Sequence, residues 1–230
     1  MEMEQINPDE NKKFIPIKTL VIYSLIFYLF WAVFNFFAKP FLAENMSDVW
    51  AAFIEDGIVK NLAWTLPAVL LLKKYSGSFF VELPKLYKPN KECIKYLWVY
   101  PAAMLVLLLK PAINGGIKIA DSFGLGYIII VLFVGITEET VFRGFLLNST
   151  YERHNEVSIA VNAVMFLLIH FPIWIYSGQF AGNITSGAFI TIILLSVFFS
   201  LLFFKTKSLF IPITLHMLWD LLIFMFFEQA

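Results

Sequence analysis

One cysteine, three histidines and eleven glycines stand among 230 residues, and charged residues make up only 15%. The lone Cys93 excludes an internal disulfide, so nothing here is a disulfide scaffold. It reads as a small apolar residue near a helix start. Acidic and basic residues balance at 17 each. With no net charge, no polyanion partner is implied and nucleic-acid binding is excluded as a leading function. The opening "MEMEQINPDENKKFIPIK" carries acids and no small-residue cleavage site, so no removable signal peptide is expected. Neither an HExxH motif, nor an internal repeat, nor a low-complexity tract occurs.

Apolar surface is what the chain has in abundance. Hydrophobic residues are 60%, aromatics 18%, and mean hydropathy is +0.77. A soluble domain would be closer to half apolar. The composition is that of an integral membrane protein. A bilayer crossing needs about 20 apolar residues, with about 17 as a lower limit. Seven candidate runs occur, at 17–38, 57–72, 93–110, 125–148, 157–176, 187–204 and 208–227, the second being the weakest because it is short and Glu55 and Asp56 sit at its start. The expected fold is therefore all-α, a polytopic transmembrane bundle of about seven spans, or eight if one run is split. The expected organisation is an N-terminal cytoplasmic segment 1–16, N-terminal helices 17–124, and a second group 125–230 integrated with the first. Residues 111–124 read as a Pro/Gly-broken connection and 177–186 as a turn-rich one.

Lysine placement suggests the orientation. With the N-terminus cytoplasmic, twelve basic residues fall inside, including Lys12, Lys13, Lys18, Lys73, Lys74 and Arg153. Lys39, Lys60, Lys110 and Lys118 fall outside. That bias fits the positive-inside rule and a plasma-membrane setting. The Lys-rich stretch 73–95 serves to fix topology on this reading. Trp31, Trp50, Trp98 and Trp174 read as interfacial belt residues near span ends.

Ionisable groups that remain inside spans are costly, and are functional by default. The fourth run holds Glu138, Glu139 and Arg143, the fifth His170, and the last His216 and Asp220. Glu139 and Arg143 are four residues apart and share a helix face, so they can pair. Glu138 points about 100° away and is left as the unpaired carboxylate. His216 and Asp220 are also four apart, and the acid can fix the imidazole's tautomer. Counting roughly 1.5 Å per residue puts Glu138, His170, His216 and Asp220 in one layer about 12–20 Å deep. Blander roles compete: an ion pair for packing, histidines satisfied in a core, Phe166 as packing, and Asn162 as an interhelical hydrogen-bonder. His154 reads as a loop residue. Zinc ligation by Glu138, His170 and His216, or a transporter's proton relay, also remain open.

Three motifs add a resemblance. "EETVFR" fits E-E-x-x-x-R, "FLLIH" fits F-x-x-x-H at Phe166 and His170, and "HMLWD" fits H-x-x-x-N/D at His216 and Asp220. Their order, spacing and placement over about 125–227 resemble the CPBP (Abi) family, which comprises type II CAAX prenyl endopeptidases and bacteriocin-processing or self-immunity proteins. The resemblance implies a metal-independent glutamic intramembrane endopeptidase without a cofactor, whose partners are the bilayer and a peptide or membrane-anchored protein substrate. By motif, Glu138 and His170 would activate water. His216 and Asp220 would form the oxyanion side, and Glu139, Arg143 and Phe166 would support the site. The prenyl-protease pattern typically has Asn where Asp220 stands, so Asp220 is expected to orient and charge His216, which donates alone. Substrate is expected to enter from the cytoplasmic half. A non-enzymatic immunity or partner-binding role is the competing expectation.

Overall fold

A computed structural model describes residues 14–113 and 116–227, with the side chains of Lys110 and of residues 151–155 outside that description. The expectations for residues 1–13, Lys110, Arg153 and His154 therefore lie outside the described residues. Among the described residues every regular element is helical. We number the long helical runs α1 Ile17–Asn45, α2 48–74, α3 Val99–Ile113, α4 Leu125–Thr150, α5 Glu156–Tyr176, α6 Ala188–Thr206 and α7 Phe210–Phe226.

By length and composition, α1, α4, α5 and α6 are each able to cross a bilayer, and a bent pair brings the total to five. The bent pair differs from the straight span expected at 93–110. It consists of Leu83–Ile94 followed by α3, at 82° to each other. The apolar α7 is shorter than a full span. The α2 run is long enough, but it carries Glu55, Asp56 and Lys60, and such charges lower any hydropathy window. The loop expected at 177–186 contains the short helix Phe180–Thr185.

Helix faces sort as lipid solvation demands. In α1, Val21, Leu25, Ile26 and Leu29 are exposed while Leu20, Tyr23, Phe27 and Trp31 are buried. That split follows the 3.6-residue period. The buried edge of α1 packs its aromatics on Trp64 of α2 and on Phe142 and Phe145 of α4. At the heart of the bundle, α7 lies against α4, α3 and α6, and α2 covers α4 from the other side.

One glycine sets the α4–α7 distance. A Cβ at Gly135 would sit 2.8 Å from Met217 Cγ and 2.9 Å from the Ile213 carbonyl oxygen. Only a residue without a side chain allows α7 to approach that closely. Gly135 lies one turn before Glu138 and Glu139, so this approach brings both next to His216.

Two of the four tryptophans expected in the belt are packed inside the protein. Trp31 and Trp174 are buried, while Trp50 and Trp98 are exposed. Trp31 donates Nε1–H to the Ile169 carbonyl at 2.8 Å, at the break between Leu168 and His170 in α5. Pro172 explains that break, because its ring clashes with the carbonyl four residues earlier and it offers no N–H. Burial of Trp31 thus satisfies a carbonyl at an interrupted turn.

Candidate active site

Among the described residues, four stretches of π-type helix interrupt the bundle, at Phe34–Ala38, Phe53–Val59, Asn61–Thr65 and Thr140–Leu147. Such wide turns are rare, and many occur at functional sites. Three of them surround the polar interior. The last begins directly after Glu139, and Asn162 of α5 donates to the Phe142 carbonyl within it at 2.8 Å. Asn162 therefore bonds between helices, as its sequence context suggests.

Glu139 and Arg143 form the expected pair. Arg143 Nη1 donates to Glu139 Oε1 at 3.0 Å, and both side chains are wholly buried. Arg143 Nη2 donates to the carbonyl and hydroxyl oxygens of Ser196 at 3.0 and 2.8 Å. Its guanidinium lies 4.4 Å from the Phe166 ring centre, which gives Phe166 a cation–π contact beyond simple packing.

Glu139 has a second task that its spacing alone does not reveal. Its Oε1 also lies 2.9 Å from His216 Nδ1. A carboxylate only accepts, so Nδ1 carries the proton. Asp220 stands on the other edge of the ring, with Oδ2 3.5 Å from Nε2. Glu139 thus orients the His216 ring through Nδ1, with Asp220 at a longer distance on the Nε2 side. Phe199 stacks on the imidazole with centroids 5.3 Å apart.

Glu138 is buried, and it is not the unpaired carboxylate that helix geometry alone suggests. Its Oε1 lies 3.6 Å from Lys60 Nζ, and its Oε2 lies 4.0 Å from His216 Nε2. Both separations exceed a hydrogen bond, so the oxygens keep capacity to accept one. Lys60, expected in a segment outside the membrane, is part of helix α2 and buried in the protein at 6% exposure. Its Nζ is 2.7 Å from Asp56 Oδ1 and 5.1 Å from the ring centres of both Trp31 and Trp64.

His170 makes its ring bond to its own helix. Nδ1 lies 3.0 Å from the Phe166 carbonyl oxygen. A carbonyl cannot donate, so Nδ1 is protonated and Nε2 is left with a lone pair. Glu138, His170, His216 and Asp220 line one cavity of about 140 Å³, closed by Phe166 and Phe199 among others. All four expected catalytic side chains thus meet in one space. Among the described residues, no three His, Cys, Asp or Glu side chains are grouped so as to hold a metal ion.

A larger cavity of about 650 Å³ lies on the side of the bundle's other polar residues, lined by Lys39, Glu55, Asp56 and Lys60. The same three helices line both spaces in order. Along α4 come Ile130 and then Val134 and Glu138; along α7, Phe224 and then Asp220 and His216; in α5, Ile173 and then His170. The large cavity is therefore at the end of the bundle away from Ile17, and Lys60 stands between it and Glu138.

Comparison with known proteins gives one family match. No curated protein and no solved structure matches the chain. A family model described as Type II CAAX prenyl endopeptidase Rce1-like matches residues 121–222. The segment that carries every motif residue from Glu138 to Asp220 is thus similar to the family whose spacing it resembles.

Proposed function

We propose that the chain is an intramembrane, glutamate-dependent endopeptidase that cleaves a peptide or a membrane-proximal protein segment. The observation that carries this reading is the single small cavity lined by Glu138, His170, His216 and Asp220. Peptide hydrolysis needs a base for water and a donor for the oxyanion. In this reading Glu138 takes a proton from water while the His170 Nε2 lone pair holds the other hydrogen. The resulting hydroxide attacks the scissile carbonyl carbon, and the C=O electron pair moves to oxygen. His216 Nε2–H donates to that oxyanion, with Nδ1–H anchored on Glu139 and Asp220 supplying the counter-charge for the doubly protonated ring. As the intermediate collapses, the C–N bond breaks, and the protonated Glu138 gives its proton to the leaving amine. The carboxylate is restored for the next cycle.

The lysine distribution supports a plasma-membrane protein with a cytoplasmic N-terminus. In that orientation the charged cavity opens to the external half, and substrate and water reach Glu138 from there. This route is an alternative to the cytoplasmic access expected from sequence.

The test is purified protein in liposomes against a synthetic peptide library, with Glu138→Gln as the control. Cleavage by the wild type and none by the variant is expected; equal cleavage by both overturns the reading. Asp220→Asn is expected to lower cleavage about tenfold through loss of the counter-charge. Unchanged cleavage would remove Asp220 from the mechanism.

One observation favours a second reading. The ion contact between Glu138 and Lys60 gives Glu138 a structural use without chemistry. A non-enzymatic role, in bacteriocin self-immunity or partner binding, would keep the whole network for packing. A Glu138→Gln strain that keeps its phenotype would favour this role. One that accumulates an uncut peptide would favour the enzyme.

A further inference from the structure

Lys60 and Glu138 link the two cavities. Lys60 lines the large charged cavity, and its Nζ stands 3.6 Å from Glu138, which lines the small one. Three things hold the ammonium. Asp56, one turn earlier on α2, is 2.7 Å away, and the indoles of Trp31 and Trp64 lie at 5.1 Å. A buried lysine without such partners would be costly. The helix around it is wide-turned on both sides, at Phe53–Val59 and Asn61–Thr65. Asp56 and Lys60 are four residues apart and share the face of α2 that lies against the bundle interior.

Glu138 needs such a partner. Among the described residues it makes no hydrogen bond, so nothing in its own helix fixes the rotation of its carboxyl group. Its neighbour Glu139 is fixed by Arg143 and His216 at 2.9–3.0 Å. Glu138 has the Lys60 ammonium on its Oε1 side, while Oε2 turns to His216.

We propose that Lys60, tethered by Asp56, is a positioning residue that orients the Glu138 carboxylate for water activation. The proposal rests on the reading of Glu138 as the base. Lys60 draws Oε1 toward the charged cavity, and this aims Oε2 into the small cavity beside His216 and His170. Asp56 keeps the ammonium from moving fully onto Glu138, which would block the base in a tight ion pair. The 2.7 Å and 3.6 Å separations express that division: the close contact goes to Asp56 and the loose one to the base.

The experiment compares Lys60→Met, Lys60→Arg, Asp56→Asn and Glu138→Gln, using a fluorogenic peptide taken from the wild type's cleaved library members. Steady-state kinetics and melting in detergent are recorded for each. Misplacing a catalytic group by about 1 Å costs roughly a hundredfold, so Lys60→Met is expected to lower kcat about that much with KM nearly unchanged. Lys60→Arg keeps the charge and is expected to recover kcat to within about tenfold of wild type. Asp56→Asn, which frees the ammonium to close on Glu138, is expected to lower kcat while leaving KM alone.

Folded Lys60→Met with wild-type kcat, beside an inactive Glu138→Gln, overturns this proposal and leaves the base reading standing. An active Glu138→Gln overturns the base reading itself. A fall in KM affinity and melting temperature together, without a separate loss of kcat, assigns Lys60 a purely structural role and also overturns it. If Lys60→Met does not fold, Asp56→Asn decides, and wild-type kcat in that folded variant counts against the proposal.

Discussion

Glu138 and Glu139 are adjacent in sequence and opposite in environment. Glu139 is wholly buried, with Arg143 and His216 on one oxygen at 3.0 and 2.9 Å. Glu138 has only long contacts, 3.6 Å to Lys60 and 4.0 Å to His216, and faces a cavity. A helix turns about 100° per residue, so consecutive positions can serve unlike purposes. The tight carboxylate holds the helices and the histidine ring. The loose one has capacity left for a water molecule. Rigidity in one is what allows openness in the other, because His216 stays in place without help from Glu138.

Exchanging each acid for its amide breaks that comparison most sharply. General-base catalysis contributes about 10²–10⁴-fold, so Glu138→Gln is expected to lose at least that much cleavage while melting within a few degrees of wild type. Glu139→Gln is expected to show the reverse emphasis, with a clearly lower melting temperature. Melting curves in detergent alongside peptide cleavage check both. Similar profiles for the two variants would mean the acids are not divided as the geometry suggests.

Arg143 probes the tight half alone. Removing one member of a buried ion pair costs about 3–5 kcal/mol, because the other charge is left uncompensated. Arg143→Met is expected to destabilise by that order, measured by denaturant unfolding or by the fraction recovered folded from membranes. A loss below about 1 kcal/mol would show that the His216 contact alone satisfies Glu139.

The Glu139–Arg143 pair and the layer holding Glu138 were legible in the sequence; the contacts of Glu139 to His216 and of Glu138 to Lys60 were not. Glu139 and Arg143 are four residues apart, and spacing on one helix is a local property. His170, His216 and Asp220 could be placed in one layer because depth follows residue count along an apolar run. Lys60 could not be assigned. A charge near the start of a hydrophobic run looks like a span end; Asp56 and Trp64 flank it four residues away on α2 itself, but only the folding of α2 against α1 and α4 brings Trp31 and Glu138 to it. Partners that come from other helices leave no periodic trace. The same limit applies to Trp31, whose buried bond to Ile169 depends on a break made by Pro172 in a distant helix. The number of crossings also stayed open, since α2 has charges that count against a span until their partners are known.

Gly135 tests how the two acids come to share His216. An alanine there would place a methyl 2.8 Å from Met217 Cγ and 2.9 Å from the Ile213 carbonyl oxygen. The side chain can yield, but the backbone oxygen cannot, so α7 must move away. Overpacking of this kind typically costs about 1–3 kcal/mol. Gly135→Ala is expected to lower stability by that order and to lower cleavage as well, through longer contacts from His216 to both acids. Cleavage that falls while melting is unchanged would point to a shifted α7 in an otherwise intact bundle.

Trp31→Phe should have the smallest effect and is the finest probe of the comparison. It keeps most of the aromatic packing on Phe34 and Trp64 but removes the Nε1–H donor to the Ile169 carbonyl. A buried hydrogen bond of this type contributes about 1 kcal/mol. The ring also lies against the Lys60 ammonium, and phenylalanine gives a weaker cation–π contact than tryptophan. Two consequences separate by readout. Loss of the carbonyl bond loosens the turn that presents His170, which lowers stability. Loss of the cation–π contact frees Lys60, which lowers kcat through Glu138. Combining Trp31→Phe with Lys60→Arg tells them apart: if the ammonium carries the effect on kcat, the two changes are non-additive in rate and additive in melting temperature.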